Sequence, residues 1–274
     1  MKKVKIAFIY LCLVLLSTSV FINCSDDNVL NTTPLLDTAD FKYPFTDGSS
    51  WDYTRKFYAT DIRPDSILHY FNNYPIVITG RVAILYDTVI NSVLTKCFLD
   101  EFVENSITRS NRYYYINTDT ALFLFARRQN GPATGLLPLK PYRKNTEAFD
   151  NTINNSGLNL LIDSLNITMK YPVVTGKEWT NYYSGGSNPL SVIKYLSFEI
   201  DYGPQNPESG MKTQLNYSYY PDFPEYIFYT KHGLLKRTWS IDNVVFSTFS
   251  NPDGIGTFDL YDQTLVNSYN IITE

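Results

Sequence analysis

The chain has few of the side chains on which most enzyme chemistry depends. Among its 274 residues are two histidines, His69 and His232, and neither has a second ligand at metal-binding spacing. It lacks a Gly-x-Ser-x-Gly nucleophile motif and a Gly-rich loop ending in Lys-Ser or Lys-Thr. We therefore predict no catalytic histidine, no metal site and no cofactor. Any enzymatic activity would have to come from other residues, and the sequence favours a non-enzymatic role.

Charge is also scarce, and its sign is negative. Charged residues make up 18% of the chain, against about 25% in an average protein. The formal net charge is −4, and removal of residues 1–23, which hold three lysines and no acidic residue, would leave −7. An acidic domain repels phosphate backbones, so we expect no nucleic-acid partner.

The N-terminus has an apolar run that is short for a membrane span. The run from Ile6 to Leu16 ends at Ser17-Thr18-Ser19, whereas a spanning helix needs about 20 apolar residues. Lysines at positions 2, 3 and 5 precede it. A cationic start, a short apolar region and a processing site are the parts of an export signal, so residues 1–23 are predicted to be a signal peptide.

Cys24 follows this region and is the one predicted modification site. The segment Phe21-Ile22-Asn23-Cys24-Ser25 resembles the lipid-attachment site of bacterial lipoproteins. The resemblance covers this segment alone and implies cleavage before Cys24 and a lipid thioether on its sulfur. Asn23 departs from the small residue usual before the cysteine. Ordinary cleavage after Ser19 and an uncleaved anchor are the two alternatives to lipidation.

The residues after Cys24 bear on location. Ser25 differs from the aspartate that retains enterobacterial lipoproteins at the inner membrane, so the resemblance implies the outer membrane. Ser25-Asp26-Asp27-Asn28 is also similar to the acidic stretch that routes some lipoproteins to the cell surface, although a solvated linker explains it equally well. Both the periplasmic and the outer face stay open. Residues 24–40 are predicted to be the lipidated cysteine and a flexible tether, which would attach the domain to the membrane through the lipid.

From residue 41 onward the pattern is that of antiparallel β-structure. The chain contains 23 Tyr and 17 Phe, which favour strands, and alternation places Trp51, Tyr53, Arg55 and Phe57 on one face. Residues 41–274 are predicted to form a single all-β domain, mainly antiparallel, as a curved sheet, barrel or sandwich. Cys97 is predicted to be a buried strand residue without a disulfide partner. The segment 158–165 fits a helix and a strand about equally.

One motif occurs twice. Tyr43-Pro44-x-x-x-Gly48-x-x-Trp51 recurs as Tyr171-Pro172-x-x-x-Gly176-x-x-Trp179. The pattern predicts a strand that ends at Tyr-Pro, a glycine turn and a new strand opened by a core tryptophan. We predict a duplicated β unit, with repeats at 43–140 and 171–262. The element also resembles one in uncharacterised exported lipoproteins, which implies no activity.

Several side chains are candidates for ligand binding or catalysis. Paired carboxylates could serve a carbohydrate-active hydrolase, and those near predicted strand ends are Asp100, Glu101, Glu104 and Glu199. Tyrosine-rich segments at 113–115 and 217–229 could stack on sugars, although alternation must bury about half of them. A periplasm-facing carrier of lipid is the third possibility. The predicted role is a binding or scaffold module whose partner is a glycan, an apolar ligand or an envelope protein.

A further recurring pattern is Asp-Ser or Asp-Thr followed by an apolar residue. It resembles the O-glycosylation sequence of some Gram-negative exported proteins, and ordinary turn chemistry also accounts for it. It occurs at Asp37-Thr38-Ala39, Asp65-Ser66-Ile67, Asp87-Thr88-Val89, Asp119-Thr120-Ala121 and Asp163-Ser164-Leu165.

Overall fold

The computed structural model describes residues 38–39, 41–104, 106–128, 161–183, 189–218, 220–248 and 250–273. Cys24, the predicted signal peptide and most of the predicted tether lie outside these ranges. The limits predicted for the tether, the domain and the two repeats remain predictions.

Strands account for nearly all of the described elements, as the sequence predicts. A single 3-10 helix, η1 (Asp65–Phe71), lies between the second and third strands. The strands are β1 (Thr38–Ala39), β2 (Ser50–Arg63), β3 (Ile76–Ile90), β4 (Val93–Glu104), β5 (Ile107–Asn117), β6 (Ala121–Arg128), β7 (Leu161–Lys170), β8 (Val173–Val174), β9 (Glu178–Tyr183), β10 (Pro189–Asp201), β11 (Glu208–Tyr217), β12 (Tyr220–Thr230), β13 (Gly233–Thr248) and β14 (Asn251–Asn270). The all-β, antiparallel class is confirmed.

Twelve strands form one antiparallel sheet made of two six-strand meanders. The order is β7-β6-β5-β4-β3-β2-β14-β13-β12-β11-β10-β9, so each meander follows the chain and the two join where β2 pairs with β14. The far edges meet through side chains: Trp179 Nε1 donates to the Ile167 carbonyl at 3.0 Å, and the Tyr195 hydroxyl donates to the Lys170 carbonyl at 2.8 Å. The sheet is therefore nearly closed.

Tight turns between consecutive strands produce the meanders. Asn91 and Ser92 join β3 to β4 with φ of 49° and 65°, and Gly233 opens β13 with φ of 100°. Two-residue turns with positive φ match the twist of an antiparallel pair, and Asn and Gly tolerate that conformation at low cost. β1 and β8 form a separate two-stranded sheet, in which Thr38 pairs with Val174.

The inner face of the nearly closed sheet is packed with aromatic and aliphatic side chains. Trp51 and Tyr53 are each 1% exposed, Arg55 is buried and Phe57 is half-buried, so the predicted alternation along β2 is confirmed. Cys97 is fully buried in β4, as predicted. Fully burying side chains of this size removes about 150–250 Å² of surface per aromatic, which makes this face the main source of stability.

A second, smaller apolar cluster lies at the opposite end of β2. Ile67 and Phe71 of η1 pack against Phe258 of β14, with a centroid distance of 4.8 Å between the two phenylalanine rings. The long β13–β14 hairpin thus extends past the main core and is covered by η1.

One open prediction is settled by the structure. Residues 161–165 belong to β7, so the helix alternative for the segment 158–165 is wrong there, and residues 158–160 lie outside the described ranges. Pairing of β7 with β6 satisfies the backbone groups that a helix would have bonded internally.

The two copies of the repeated motif have matching surroundings. Gly48 N donates to the Ile84 carbonyl at 2.9 Å, and Gly176 N donates to the Tyr195 carbonyl at 2.8 Å. Both glycines have positive φ, 87° and 82°. In each meander a register shift follows at the same place, after Ile84 in β3 and after Tyr195 in β10.

The two motif tryptophans are both buried near the start of a strand, as predicted for core tryptophans, and the duplication of the β unit stays a prediction. Trp51 is 1% exposed and Trp179 is 5% exposed, and the indole nitrogen of each donates to a backbone carbonyl. Their acceptors differ: the Trp51 indole donates to the His232 carbonyl in the β12–β13 turn, whereas the Trp179 indole donates to the Ile167 carbonyl in β7.

Candidate functional site

The outer face of the sheet carries a group of tyrosines where the two meanders join. Neighbouring residues of a strand point to opposite faces, so the burial of Asp262 in β14 turns Tyr261 and Gln263 outward. By the same alternation Tyr58 of β2 faces away from Phe57. Tyr226 of β12 is 37% exposed. We call Tyr58, Tyr226 and Tyr261, with the side chains between them, the tyrosine surface.

Two of these rings are stacked. Tyr58 and Tyr261 are direct cross-strand partners, and their rings lie 5.0 Å apart and within 5° of parallel. Cross-strand aromatic pairs contribute about 0.2–1 kcal/mol to the stability of a sheet, and stacking keeps the two rings parallel. The pair therefore places two parallel aromatic rings side by side on the outer face.

Polar groups lie beside this stacked pair. A shallow depression of about 180 Å³ opens there. Its lining consists of Tyr58, Tyr226, Thr238, Trp239, Ser240, Tyr261, Asp262 and Gln263. Aromatic rings next to hydroxyl and amide groups can combine apolar stacking with hydrogen bonds to a ligand that has both kinds of surface.

A charged pair borders the depression on the β11 side. Lys212 Nζ lies 5.6 Å from the centre of the Tyr226 ring and 3.5 Å from a carboxylate oxygen of Glu199. Both side chains are about one-third exposed, so they remain open to water and to polar groups of a ligand.

The carboxylates considered as catalytic residues do not converge in the structure. Asp100 is 2% exposed on the inner face of β4, and Glu101, the next residue, is exposed on the outer face. Glu199 of β10 is paired with Lys212 of β11. The Glu104 side chain lies outside the described part of the structure. Among the described side chains, none of these acids faces another across a cleft, as a glycosidase requires.

Burial changes the ionisation of Asp100. Its carboxylate accepts a hydrogen bond from the Tyr53 hydroxyl at 2.7 Å. Loss of hydration raises the pKa of Asp100 to about 7, against the lowering effects of the Tyr53 hydrogen bond and the nearby Arg55 charge. A raised pKa alone suits a general acid, but this carboxyl is sealed from solvent and serves the core.

Other charges of the interior were missed by the sequence analysis. Arg55 donates two hydrogen bonds to Asp262, at 2.8 and 2.6 Å, and both side chains are below 10% exposed. Arg237 pairs with Glu225, which also accepts a hydrogen bond from the Tyr217 hydroxyl at 2.7 Å. Burial and these acidic neighbours act on Arg237 in opposite directions, and the acids prevail and raise its pKa. Only the alternation of Arg55 between Tyr53 and Phe57 indicated that a cation points inward.

The tyrosine-rich segments divide between the two faces, as alternation predicts. Tyr113 and Tyr115 are buried in the core, whereas Tyr114 is half-buried on the outer face. In the segment 217–229, Tyr217 and Tyr229 are buried and Tyr226 is exposed. Among the described residues of these two segments, Tyr226 is therefore the one that belongs to the tyrosine surface. Tyr58 and Tyr261 lie outside both segments, and the sequence gives no sign that their strands are adjacent.

The histidines have structural surroundings. His69 is exposed in η1, where Nδ1 lies 2.9 Å from the Ser66 carbonyl. The local sequence Lys231-His232-Gly233 predicts a solvated histidine in a turn, but His232 is half-buried. Its Nδ1 lies 2.7 Å from Glu208 and 2.9 Å from the Tyr269 hydroxyl, and its ring stacks on Tyr269 at 4.6 Å. The expectation failed because the turn lies beside the start of β11, which adjacent sequence does not reveal.

Three of the Asp-Ser/Thr sites can be located with their surroundings. Ser66 and Thr120 are exposed and Thr88 is half-buried, so the surface positions that glycosylation needs exist at the first two. The side chains of Thr38 and Ser164 lie outside the described part. Glycosylation stays a prediction.

Comparison with known proteins gives weak likenesses. No family model and no curated protein matches the chain. Two solved structures align: a "putative exported protein with YMCC-like fold" from Bacteroides fragilis and a "putative lipoprotein" from Parabacteroides distasonis. Each is 12% identical and covers 84% of this chain, with 99% and 98% of its own length aligned and TM-scores of 0.37 and 0.36. At these TM-scores the two structures do not indicate a function for this chain.

Within the described ranges, no helix has the length and the apolar character needed to cross a membrane.

Proposed function

We propose that the protein is an envelope lipoprotein, anchored to the outer membrane through Cys24, that binds a glycan on its tyrosine surface. The observation that carries the binding proposal is the stacked Tyr58–Tyr261 pair beside Tyr226, with hydroxyl and amide groups in the same depression. A sugar ring has an apolar face of C–H groups and a rim of hydroxyls. Flat aromatic rings next to polar side chains match both.

The size of the depression favours a polymer over a small enclosed ligand. Sites for drug-sized ligands measure about 300–1,000 Å³ and cover most of the ligand. A shallow depression of about 180 Å³ covers much less and suits one unit of a longer chain. The acidic charge expected of the mature protein favours a neutral or cationic glycan over an anionic one.

The other two candidate functions have less support. A lipid carrier needs an apolar cavity, whereas the inner face among the described residues is filled by side chains such as Trp51, Tyr115 and Met211. A hydrolase needs two accessible carboxylates. Among the described residues, the acid that lines the depression is Asp262, which is bonded to Arg55, and Glu199 at its border is paired with Lys212.

Substitutions of the tyrosine surface test the binding site. Tyr226→Ala and Tyr261→Ala should each weaken binding of a recognised soluble oligosaccharide by about fivefold or more, because one stacking contact contributes roughly 1 kcal/mol or more. Tyr261→Phe keeps the ring and should retain most of the affinity. Titration calorimetry gives the dissociation constants.

The matched control is Tyr70→Ala, which truncates a tyrosine that is 49% exposed on η1, away from this surface. It should leave affinity unchanged. Equal affinities for wild type, Tyr226→Ala and Tyr261→Ala would remove the tyrosine surface from the proposal, and equal losses in the Tyr70 variant would show that the effect is general.

The anchor is tested separately. The wild-type protein should float with membranes and incorporate a palmitate analogue, and Cys24→Ala should abolish the label because the thiol is the acceptor. Mass spectrometry of the mature N-terminus checks the processing site. An unlipidated wild-type chain that begins at Val20 would contradict the lipoprotein assignment.

A further inference from the structure

The β3–β4 hairpin projects beyond its neighbours and ends in an apolar tip. Pairing of β3 with β2 ends at Ala83, and pairing of β4 with β5 begins at Lys96. Beyond Ile84, which also bonds to Gly48 and Ser49, the described ladder partners of this stretch belong to the hairpin itself. The stretch 88–95 contains no charged residue and has four large aliphatic side chains: Val89, Ile90, Val93 and Leu94.

Both faces of this tip are apolar. Val89 and Leu94 are cross-strand partners and are each 64% exposed. Ile90 and Val93 are the next pair, on the opposite face, and are half-buried. A soluble strand pair would alternate apolar and polar side chains, with one face on the core. Exposed aliphatic side chains on a projecting ribbon mark an interaction surface.

The tip lies at the end of the sheet from which the chain leads to Cys24. At the base of the hairpin, Lys96 Nζ bonds to Asp47 at 2.7 Å, and Gly48 N bonds to the Ile84 carbonyl. The chain enters β2 at Ser50, directly beside this base. From Cys24 to Thr38 the chain can reach at most about 50 Å when fully extended, so an anchored Cys24 limits this end of the sheet to about that distance from the bilayer and allows the tip to reach it.

The second meander repeats the arrangement. The register of β3 shifts after Ile84, and that of β10 shifts after Tyr195. Val89 and Ile200 each lie five residues beyond these points, and Ile200 is 75% exposed. Its neighbours Glu199 and Asp201 are charged, so the β10–β11 hairpin is less apolar than the β3–β4 hairpin. Two exposed aliphatic positions therefore belong to equivalent hairpins of the two meanders.

From these contacts we infer that the β3–β4 hairpin tip inserts into the lipid bilayer surface that holds the anchor, and so orients the domain. Burying exposed aliphatic groups among acyl chains removes them from water, and the uncharged tip avoids the cost of burying charge. Tyr58 lies eight residues along β2 from Ser50, roughly 25 Å farther from the entry of the chain, so the tyrosine surface stays in water. The inference rests on the lipid anchor of the proposed function.

The test places an environment-sensitive fluorophore on the hairpin. Mature lipidated protein carrying Val89→Cys is labelled and incorporated into phosphatidylcholine vesicles. The native thiol Cys97 is fully buried and Cys24 carries the lipid, so neither competes for label. The matched control is Val245→Cys, because Val245 is 59% exposed on β13 near the opposite end of the sheet.

The probe at residue 89 should shift to shorter wavelength and be quenched several-fold more strongly by nitroxide-labelled lipids than the probe at residue 245. Leu94→Ser in the same protein should reduce the response at residue 89. Equal responses at 89 and 245 in protein that floats with the vesicles would overturn the inference and leave the anchor intact. Protein that does not float would overturn both the anchor and this inference, while glycan binding in solution is measured independently.

Discussion

Asp100 shows how a single buried group can make the stability of this fold depend on pH. Its pKa rises from 3.8 to about 7 on folding because burial removes water from the carboxylate. The folded state therefore binds the proton more tightly than the unfolded state does. Stability from the protonated carboxyl is complete below about pH 4 and is lost as the pH rises through about 7.

Asp100→Asn should remove this dependence. The variant cannot ionise, so the wild type should lose about 2–4 kcal/mol of unfolding free energy relative to it between pH 4 and pH 8. Urea denaturation of both proteins across this range checks the difference, in which pH-independent costs of the substitution cancel. A constant difference would mean that Asp100 is ionised in the folded protein throughout.

The two motif tryptophans have the same role in the two meanders. Trp51→Ala and Trp179→Ala should each cost about 3–5 kcal/mol, because each deletes a large buried aromatic and leaves a cavity. Thermal or urea unfolding gives the values, and exposed Val245→Ala serves as a control within about 0.5 kcal/mol of wild type. A small loss at one tryptophan and a large loss at the other would contradict equivalent packing.

At the scale of elements, the repeated turn has a testable symmetry. Gly48 and Gly176 have φ of 87° and 82°, and a side-chain carbon at either position would meet no close obstacle, with Ile272 at 3.6 Å the nearest atom for Gly48. Gly48→Ala and Gly176→Ala should therefore each cost about 1–2 kcal/mol from backbone strain alone. Equilibrium unfolding measures both, and clearly unequal costs would show that the two turns carry different strain.

The sequence predicted elements better than it predicted which elements meet. Alternation at Trp51, Tyr53, Arg55 and Phe57 depends on neighbours in one strand, and it was confirmed. The pairing of Tyr58 with Tyr261 joins residues at the two ends of the domain, and local patterns contain no information about such a contact. For the same reason His232 was expected to be solvated, although Glu208 and Tyr269 reach it from β11 and β14.

At the scale of the whole molecule, the two six-strand meanders enclose a large core, and the one described cysteine, Cys97, forms no disulfide there. The main core lies inside the nearly closed sheet, and interior charges such as Arg55 and Glu225 have partners there. The outer face at the join of the meanders remains open to ligands.

The measurement that tests the central proposal most directly is a glycan-binding screen of the mature protein, run beside a hydrolysis assay on the same glycans. The proposal predicts saturable binding without turnover, and loss of that binding in Tyr226→Ala. Turnover abolished by a single Asp→Asn or Glu→Gln substitution would contradict it and identify a hydrolase. Absence of binding to every neutral, cationic and anionic glycan would contradict it as well.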